Sequence, residues 1–203
     1  MTPLEHLQSC DPILAAAIAQ IGPLEENRDC DPHFRALCRI IVGQQLSVAV
    51  ARAIWHRVEA YFGEDLSPQS VLETPEDELR KLGLSGAKAR YLAALATDVR
   101  EKKLEIEKLE SLSDGEIRAE ITQVKGLGPW SADIFLMFHL NRPDVLPVGD
   151  LGVREAFKRL YHLENRPDAA QMEEISAPWR PHRTLASRYL WRWLDAAKPS
   201  VTP

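Results

Sequence analysis

Residues Val124-Lys-Gly-Leu-Gly-Pro-Trp-Ser-Ala-Asp133 decide how the rest of the chain is read. Before them, Ser113 and Glu116 have capping-box spacing, and Ile117, Ile121 and Val124 recur at helical intervals, so a helix is expected to run into the stretch. Gly126 and Gly128 admit backbone angles closed to other residues and let a foreign backbone come close. Pro129 suits the first position of a second helix, where its missing N–H is no loss. The apolar run 134–140 extends that helix, and Leu146-Pro-Val-Gly-Asp150 then presents one carboxylate at the start of a third. The N–H groups of such a turn point outward at the positive end of a helix dipole, which suits an anion and above all a phosphate. A plain helical hairpin, with glycines that only reverse the chain, fits the turn equally well. Asp150 tips the balance: it follows Gly128 by 22 residues and is approached through Pro147-Val-Gly149, a rigid and then a permissive lead to one side chain.

Outward from this stretch, the chain reads as helix after helix. Asp11-Pro12 opens an alanine-rich helix over 13–21, stopped at Gly22, and 23–30 is a connection. Asp31-Pro32 repeats the start signal for a helix with Phe34, Leu37 and Ile41 on its buried face. Gln44-Gln45-Leu46 breaks the pattern, and Ser47 caps a long helix to Phe62 with Ile54, Trp55 and Val58 inward. Ser67-Pro68 and Thr74-Pro75 each begin a short helix. Leu84-Ser85-Gly86 is a second sharp junction, with Ser85 capping 87–100. A helix from Asp150 to about 162, one started by Pro167 and a final one over 184–197 complete the chain, with a frayed tail from Lys198. No segment reads as a strand, so the fold class is all-α.

The totals bound the function. The chain has 203 residues, 45% hydrophobic and 27% charged, which suits one domain or two small lobes sharing a core. No apolar run approaches the roughly 20 residues of a membrane span, and the N-terminus lacks the basic start of a secretory signal. A cytoplasmic protein, placed with the chromosomal DNA, is expected. Cys10, Cys30 and Cys38 form no Cys-x-x-Cys pair, and the histidines lack metal-ligand spacing, so no metal site is expected. A net charge of −5 argues against gripping DNA by bulk electrostatics, although hairpin amides bind phosphate without lysines. Charge is uneven: 101–120 is rich in acids, whereas Arg180, Arg183, Arg188 and Arg192 lie with His182 in a run without one. An acidic far side and a basic near side would reconcile the sum, and so would two solvated faces.

Val124–Ala132 resembles the helix-hairpin-helix of the HhH-GPD DNA glycosylase superfamily, and Leu146–Val153 resembles its Gly/Pro-rich loop with an essential aspartate. The nearest branch is that of 3-methyladenine DNA glycosylase II. It is also carried by Ile41-Val-Gly-Gln-Gln-Leu-Ser47, Leu84-Ser-Gly-Ala-Lys-Ala-Arg90 and Trp179-Arg-Pro-His-Arg-Thr-Leu-Ala-Ser-Arg-Tyr-Leu-Trp191. The likeness covers residues 31–193 in order, each piece weak alone. It implies a single two-lobed helical domain, one lobe at about 31–145 and the other at 1–30 with 146–197, without the extra N-terminal β domain of some relatives.

The resemblance also implies roles. Asp150 becomes the catalytic group that stabilises an oxocarbenium-like sugar or orients a water, while its position equally fits a helix N-cap. One carboxylate suffices where the leaving base is already cationic, as 3-methyladenine and 7-methylguanine are. Trp130 and Trp191 become walls of a pocket for a flipped base, with indole faces attractive to a cation, against ordinary core packing. Trp55, Trp179 and Trp193 are read as core. Gln45 takes the place of the wedge that fills the gap left by the flipped nucleotide, where relatives often carry an apolar residue. Lys125, Gly126, Leu127, Gly128 and Ser131 would meet the DNA backbone, as would Ser85, Gly86 and Lys88. For Ser85 and Lys88 a plain cap and a surface lysine fit as well. Bifunctional relatives place a nucleophilic lysine two residues after the second hairpin glycine; here that slot is Trp130, so no lyase activity is expected. The four-cysteine iron–sulfur cluster of endonuclease III-like relatives has no ligands here. No cofactor is expected, and an ion at the hairpin carbonyls is left open. The expected partner is damaged, double-stranded DNA, and the expected state a monomer. The expected activity is excision of alkylated purines to leave an abasic site. Excision of uracil, mismatched thymine, hypoxanthine or ethenoadenine by the same fold is the alternative, and a non-catalytic DNA-binding module a more distant one.

Overall fold

Capping side chains start most of the helices, and the order they impose is the order of the fold. The structure, a computed structural model, describes residues 1–25 and 31–197; no strand occurs among them. The chain divides into two compact units, Met1–Arg28 with Asn141–Pro203, and Asp29–Leu140.

The first unit begins with α1 (Pro3–Cys10), which the sequence reading passes over. Thr2 and Glu5 form a capping box with Pro3 in the first turn, a signal hidden by its position at the chain end. α2 (Pro12–Ile21) starts where expected, with the Asp11 carboxylate accepting from the N–H groups of Ile13 and Leu14. The same carboxylate, through Oδ2, accepts from the Tyr161 hydroxyl at 2.6 Å and from the Trp179 indole at 2.8 Å.

The second unit opens with α3 (His33–Gly43), where Asp31 is not the expected cap. Its carboxylate instead pairs with Arg35 and Arg39, and Pro32 occupies the cap position. α4 (Val48–Phe62) is capped by Ser47, α5 (Pro68–Glu73) by Ser67 and α7 (Gly86–Arg100) by Ser85, with α6 (Glu76–Lys81) between the last two. α8 (Asp114–Gln123) has the Ser113–Glu116 capping box, and α9 (Pro129–Ile134) follows the glycine turn. The apolar run then widens into a π-helical turn over Phe135–His139. α3 packs against α4, α7, α9 and the π turn, with Leu37, Cys38, Ile41 and Val42 fully buried.

The chain returns to the first unit through α10 (Leu151–Leu160), α11 (Ala169–Ser176) and α12 (Arg183–Ala196). α11 is capped by Asp168, one residue beyond the expected proline. The core of this unit gathers Leu14, Ile18, Val153, Phe157, Met172, Trp179, Tyr189 and Leu190. Trp179 and Trp55 are core residues as expected, whereas Trp193 is half-buried and donates to Gln20. The expected frayed tail and Cys30 lie outside the described residues.

Candidate functional site

The first unit fixes a carboxylate at the head of α10. Pro147 is buried, and bonds from Val148 N–H to the Leu146 carbonyl and from Asp150 N–H to the Pro147 carbonyl fold 146–150 into successive tight turns. Asp150 thus arrives as the N-cap of α10, and its Oδ1 accepts from Val153 N–H at 2.8 Å. The same oxygen accepts from the Trp191 indole N–H at 2.8 Å. Cap and indole therefore converge on one oxygen, which fixes the carboxylate plane, while the side chain stays half-exposed. Gly152 makes room for this: a Cβ there would stand 3.1 Å from Asp150 Oδ1 and 3.3 Å from the Trp191 ring.

One helix holds both ends of the loop that delivers Asp150. Thr184, in the first turn of α12, donates its hydroxyl to the Arg142 carbonyl, accepts from Val145 N–H and gives its own N–H to Pro143. Trp191 lies seven residues on, two turns along the same face, and reaches the loop's other end at Asp150. Beside Thr184, Arg183 is 6% exposed and bonds Asp144 through both its side chain and carbonyl. The Arg183 and Arg180 guanidiniums together hold Asp144 below the usual carboxylate range against its own burial.

Most of the arginine run is engaged within its own unit. Arg180 and Arg183 pair with Asp144 and Glu173, and Arg188 donates to the Glu25 carbonyl. Charge counting had no means to find this, because the acids that pair with Arg180 and Arg183 lie outside the run.

The second unit holds the glycine turn. α8 ends at Val124, whose carbonyl accepts from Leu127 N–H at 3.0 Å. Gly126 has φ +96, a region that side chains rarely enter, and the Tyr91 ring lies directly against it. Gly128 differs from expectation. Its φ of −110 is open to any residue and nothing lies within 4 Å of where its Cβ would be, so it contributes space in front of the turn rather than conformational freedom. No side chain caps α9. Lys125 is exposed, Leu127 buried and Trp130 half-buried. Ser131 is 1% exposed and its hydroxyl accepts from the Gln44 side chain, so the hydroxyl is turned into the protein. Asp133, 5% exposed, bonds Arg118 at 2.8 Å; burial raises its pKa and the guanidinium partly offsets that.

Gln45 is exposed at the tip of the break between α3 and α4 in a left-handed conformation, φ +57. Leu46, Val48 and Val50 beside it are exposed apolar side chains, Val48 at 74%. At the second junction Ser85 takes the expected place as a cap, while Lys88 is not a surface lysine. Ser85 caps α7, Gly86 lies against the Glu76 carboxylate, and the Lys88 ammonium turns inward to the Val42 carbonyl at 2.7 Å. Burial lowers the Lys88 pKa. The Glu76 carboxylate beside Gly86 is paired with the Arg90 guanidinium at 3.3 Å, and the Lys88 ammonium is directed inward to a backbone carbonyl.

Gly152, Gln44 and Tyr91 are the residues that sequence reasoning missed. Gln44 was visible only as polarity at a helix break; nothing local marked the other two. Among the described residues, no group of three or more His, Cys, Asp or Glu side chains is arranged to hold a metal ion, and no helix is long and apolar enough to cross a membrane.

The chain is similar to known proteins over nearly its whole length. YfjP of Bacillus subtilis, placed by its name with the DNA-3-methyladenine glycosylases, is 30% identical over 169 residues; these are 80% of this chain and 59% of that relative. The solved structure of Schizosaccharomyces pombe 3-methyladenine DNA glycosylase in complex with abasic DNA superposes with a TM-score of 0.86 at 28% identity, covering 95% of this chain and 96% of that one. A DNA-3-methyladenine glycosidase from Bacillus halodurans superposes with a TM-score of 0.78 at 31% identity, over 96% of this chain and 89% of that one. The model of the HhH-GPD superfamily matches residues 38–181, the span that holds the glycine turn, the Gln45 tip and Asp150, and the chain belongs to this superfamily of base excision DNA repair proteins.

Proposed function

We propose that this protein is a monofunctional DNA glycosylase that everts an alkylated purine nucleotide and hydrolyses its N-glycosidic bond, leaving an abasic site in an intact strand. The observation that carries the reading is the Asp150 carboxylate, anchored through Oδ1 by Val153 N–H and by the Trp191 indole. A fixed anion beside the sugar stabilises positive charge as the C1′–N bond lengthens, and it costs little reorganisation because both donors are already in place. The leaving base takes the bonding electrons, and water supplies hydroxyl to C1′ while its proton passes to Asp150 or to solvent. A 3-methyladenine or 7-methylguanine base departs neutral, so no second acid is required.

Trp191 serves two ends in this reading, since its N–H orients Asp150 and its ring offers an aromatic surface to the base. Trp130 supplies the other aromatic surface. The glycine turn, with Gly126, Leu127, Gly128 and the N–H of Ser131, grips a phosphate with Lys125 at its edge, and Gln45 enters the vacated stack. Trp130 in place of a lysine supports hydrolysis without strand nicking. The names of the similar proteins support alkylated bases over uracil, oxidised or mismatched ones.

The test is base release from methylated duplex DNA by the wild type and by Asp150→Asn. The wild type releases methylated purines; the variant, which keeps the shape but not the charge, binds abasic-site DNA yet releases none. Normal turnover by Asp150→Asn removes the aspartate from the mechanism. Release of a different lesion alone, from a panel of duplexes, replaces the substrate class.

A further inference from the structure

The amide of Gln44 spans two features that sequence order keeps far apart. Its Nε2 donates to the Gly126 carbonyl at 2.8 Å and to Ser131 Oγ at 3.1 Å, joining residues 82 and 87 positions away. A carbonyl only accepts, so the amide orientation is dictated: nitrogen faces the hairpin. Gln44 is also the last residue before Gln45, whose φ of +57 is unfavourable for a side chain and persists only when its surroundings impose it. The α3 side of the break is held too, because Lys88 reaches from α7 to the Val42 carbonyl two residues before Gln44. The Tyr91 ring, also from α7, lies against Gly126. The tip and the glycine turn are thus pinned to each other through Gln44, and both are braced by one helix.

We infer that Gln44 is a positioning residue that couples the Gln45 wedge to the phosphate-gripping turn, so that holding the backbone and opening the base stack become one rigid act. The inference rests on the glycosylase reading above. Without the bond, the turn still takes a phosphate, but the tip that must enter the duplex loses its fixed register to it. Eversion is then left to the DNA's own opening, which is rare for a well-paired base and common for an unpaired one. The signature is therefore a defect that depends on pairing, whereas a merely structural role slows every substrate alike.

The experiment compares wild type with Gln44→Met, which keeps the side-chain length and removes both donors. Single-turnover release is measured from 7-methylguanine placed opposite cytosine and opposite a tetrahydrofuran abasic analogue. Gln44→Met is expected to lose about tenfold opposite cytosine and less than about threefold opposite the analogue. In a second arm, 2-aminopurine beside a tetrahydrofuran site reports unstacking on binding without any chemistry. Wild type raises its fluorescence; Gln44→Met binds within about threefold of wild-type affinity but raises it less. Lys88→Met, which removes the brace at Val42, shows the same pattern to a smaller degree and serves if Gln44→Met fails to fold. Equal loss on both lesions, or none on either, overturns the coupling. A wild type that releases no base from either duplex refutes the glycosylase reading instead. The fluorescence arm then decides the coupling alone, and equal signals from wild type and variant overturn it.

Discussion

The two glycines of the hairpin, alike in the sequence, have opposite jobs in the structure, and one alanine at each separates them. At Gly126 the backbone sits at φ +96, where an L side chain is strained by about 1–2 kcal/mol. A Cβ there would also lie 2.5 Å from Cδ1 and 2.6 Å from Cδ2 of Tyr91, inside the ring's contact shell. Tyr91 is half-buried on α7 and packs from below, so relief requires the ring or the turn to move, at about 1–3 kcal/mol for overpacking. Gly126→Ala is therefore expected to lose about 2–5 kcal/mol, a fall in melting temperature of roughly 5–15 °C for a chain of this size. Gly128→Ala meets neither obstacle, with φ −110 and open space around its Cβ. It weakens only the start of α9, by about 1 kcal/mol at most. If the turn holds a DNA phosphate as proposed, its methyl projects into that space, so affinity for abasic-site duplex is expected to fall by about tenfold or more while the fold stays intact. The assays are thermal unfolding by circular dichroism and fluorescence-anisotropy titration, with Gly126→Ala/Tyr91→Ala as the control that removes the clash and recovers part of the loss. If Gly126→Ala melts with the wild type, or Gly128→Ala destabilises as much as Gly126→Ala, the division of labour is wrong.

Trp191→Phe keeps an aromatic surface and removes the donor to Asp150 Oδ1. Loss of a hydrogen bond to a charged acceptor predicts single-turnover release slower by roughly ten- to hundredfold with affinity for abasic DNA little changed; full-rate release would show the bond idle. Trp130→Lys places an amine in the slot used by bifunctional relatives and changes nothing else in the site. No efficient strand nicking is expected on denaturing gels, and borohydride trapping checks for a covalent adduct. Stability depends on pH through His139, whose Nε2 lies 2.6 Å from His33 Nδ1, so that protonating both rings sets two N–H groups against each other. Burial first, then the positive neighbours His33 and Arg39, push His139 down to about 4, with Asp31 and Glu110 opposing. A histidine depressed in the folded state stabilises fully above its unfolded pKa and loses that contribution as pH falls from about 6.5 to about 4. The loss is at most about 3 kcal/mol, readable as a falling urea midpoint that flattens in His139→Gln.

Helix starts were legible because capping is local: a side chain three residues away satisfies an orphan N–H wherever the chain then goes. Ser47, Ser85, Ser113 and Asp150 all cap the helices expected of them. Asp31 failed as a cap for the complementary reason. Its carboxylate had a better use in two arginines one and two turns along α3, and the sequence offers both options at once.

The amino-acid sequence by itself determined an all-helical chain, a glycine turn built for close approach and a lone aspartate after it, since these rest on neighbours along the chain. Tertiary structure alone decided what each of these touches. It paired Arg180 and Arg183 with Asp144, carried Arg188 to the Glu25 carbonyl, put Gln44 under the hairpin carbonyl, and brought the Trp191 N–H to the oxygen that caps α10. Those pairings join residues 36 to 163 positions apart in the chain, and a hydrogen bond of about 3 Å is set by how helices pack, which no local pattern encodes.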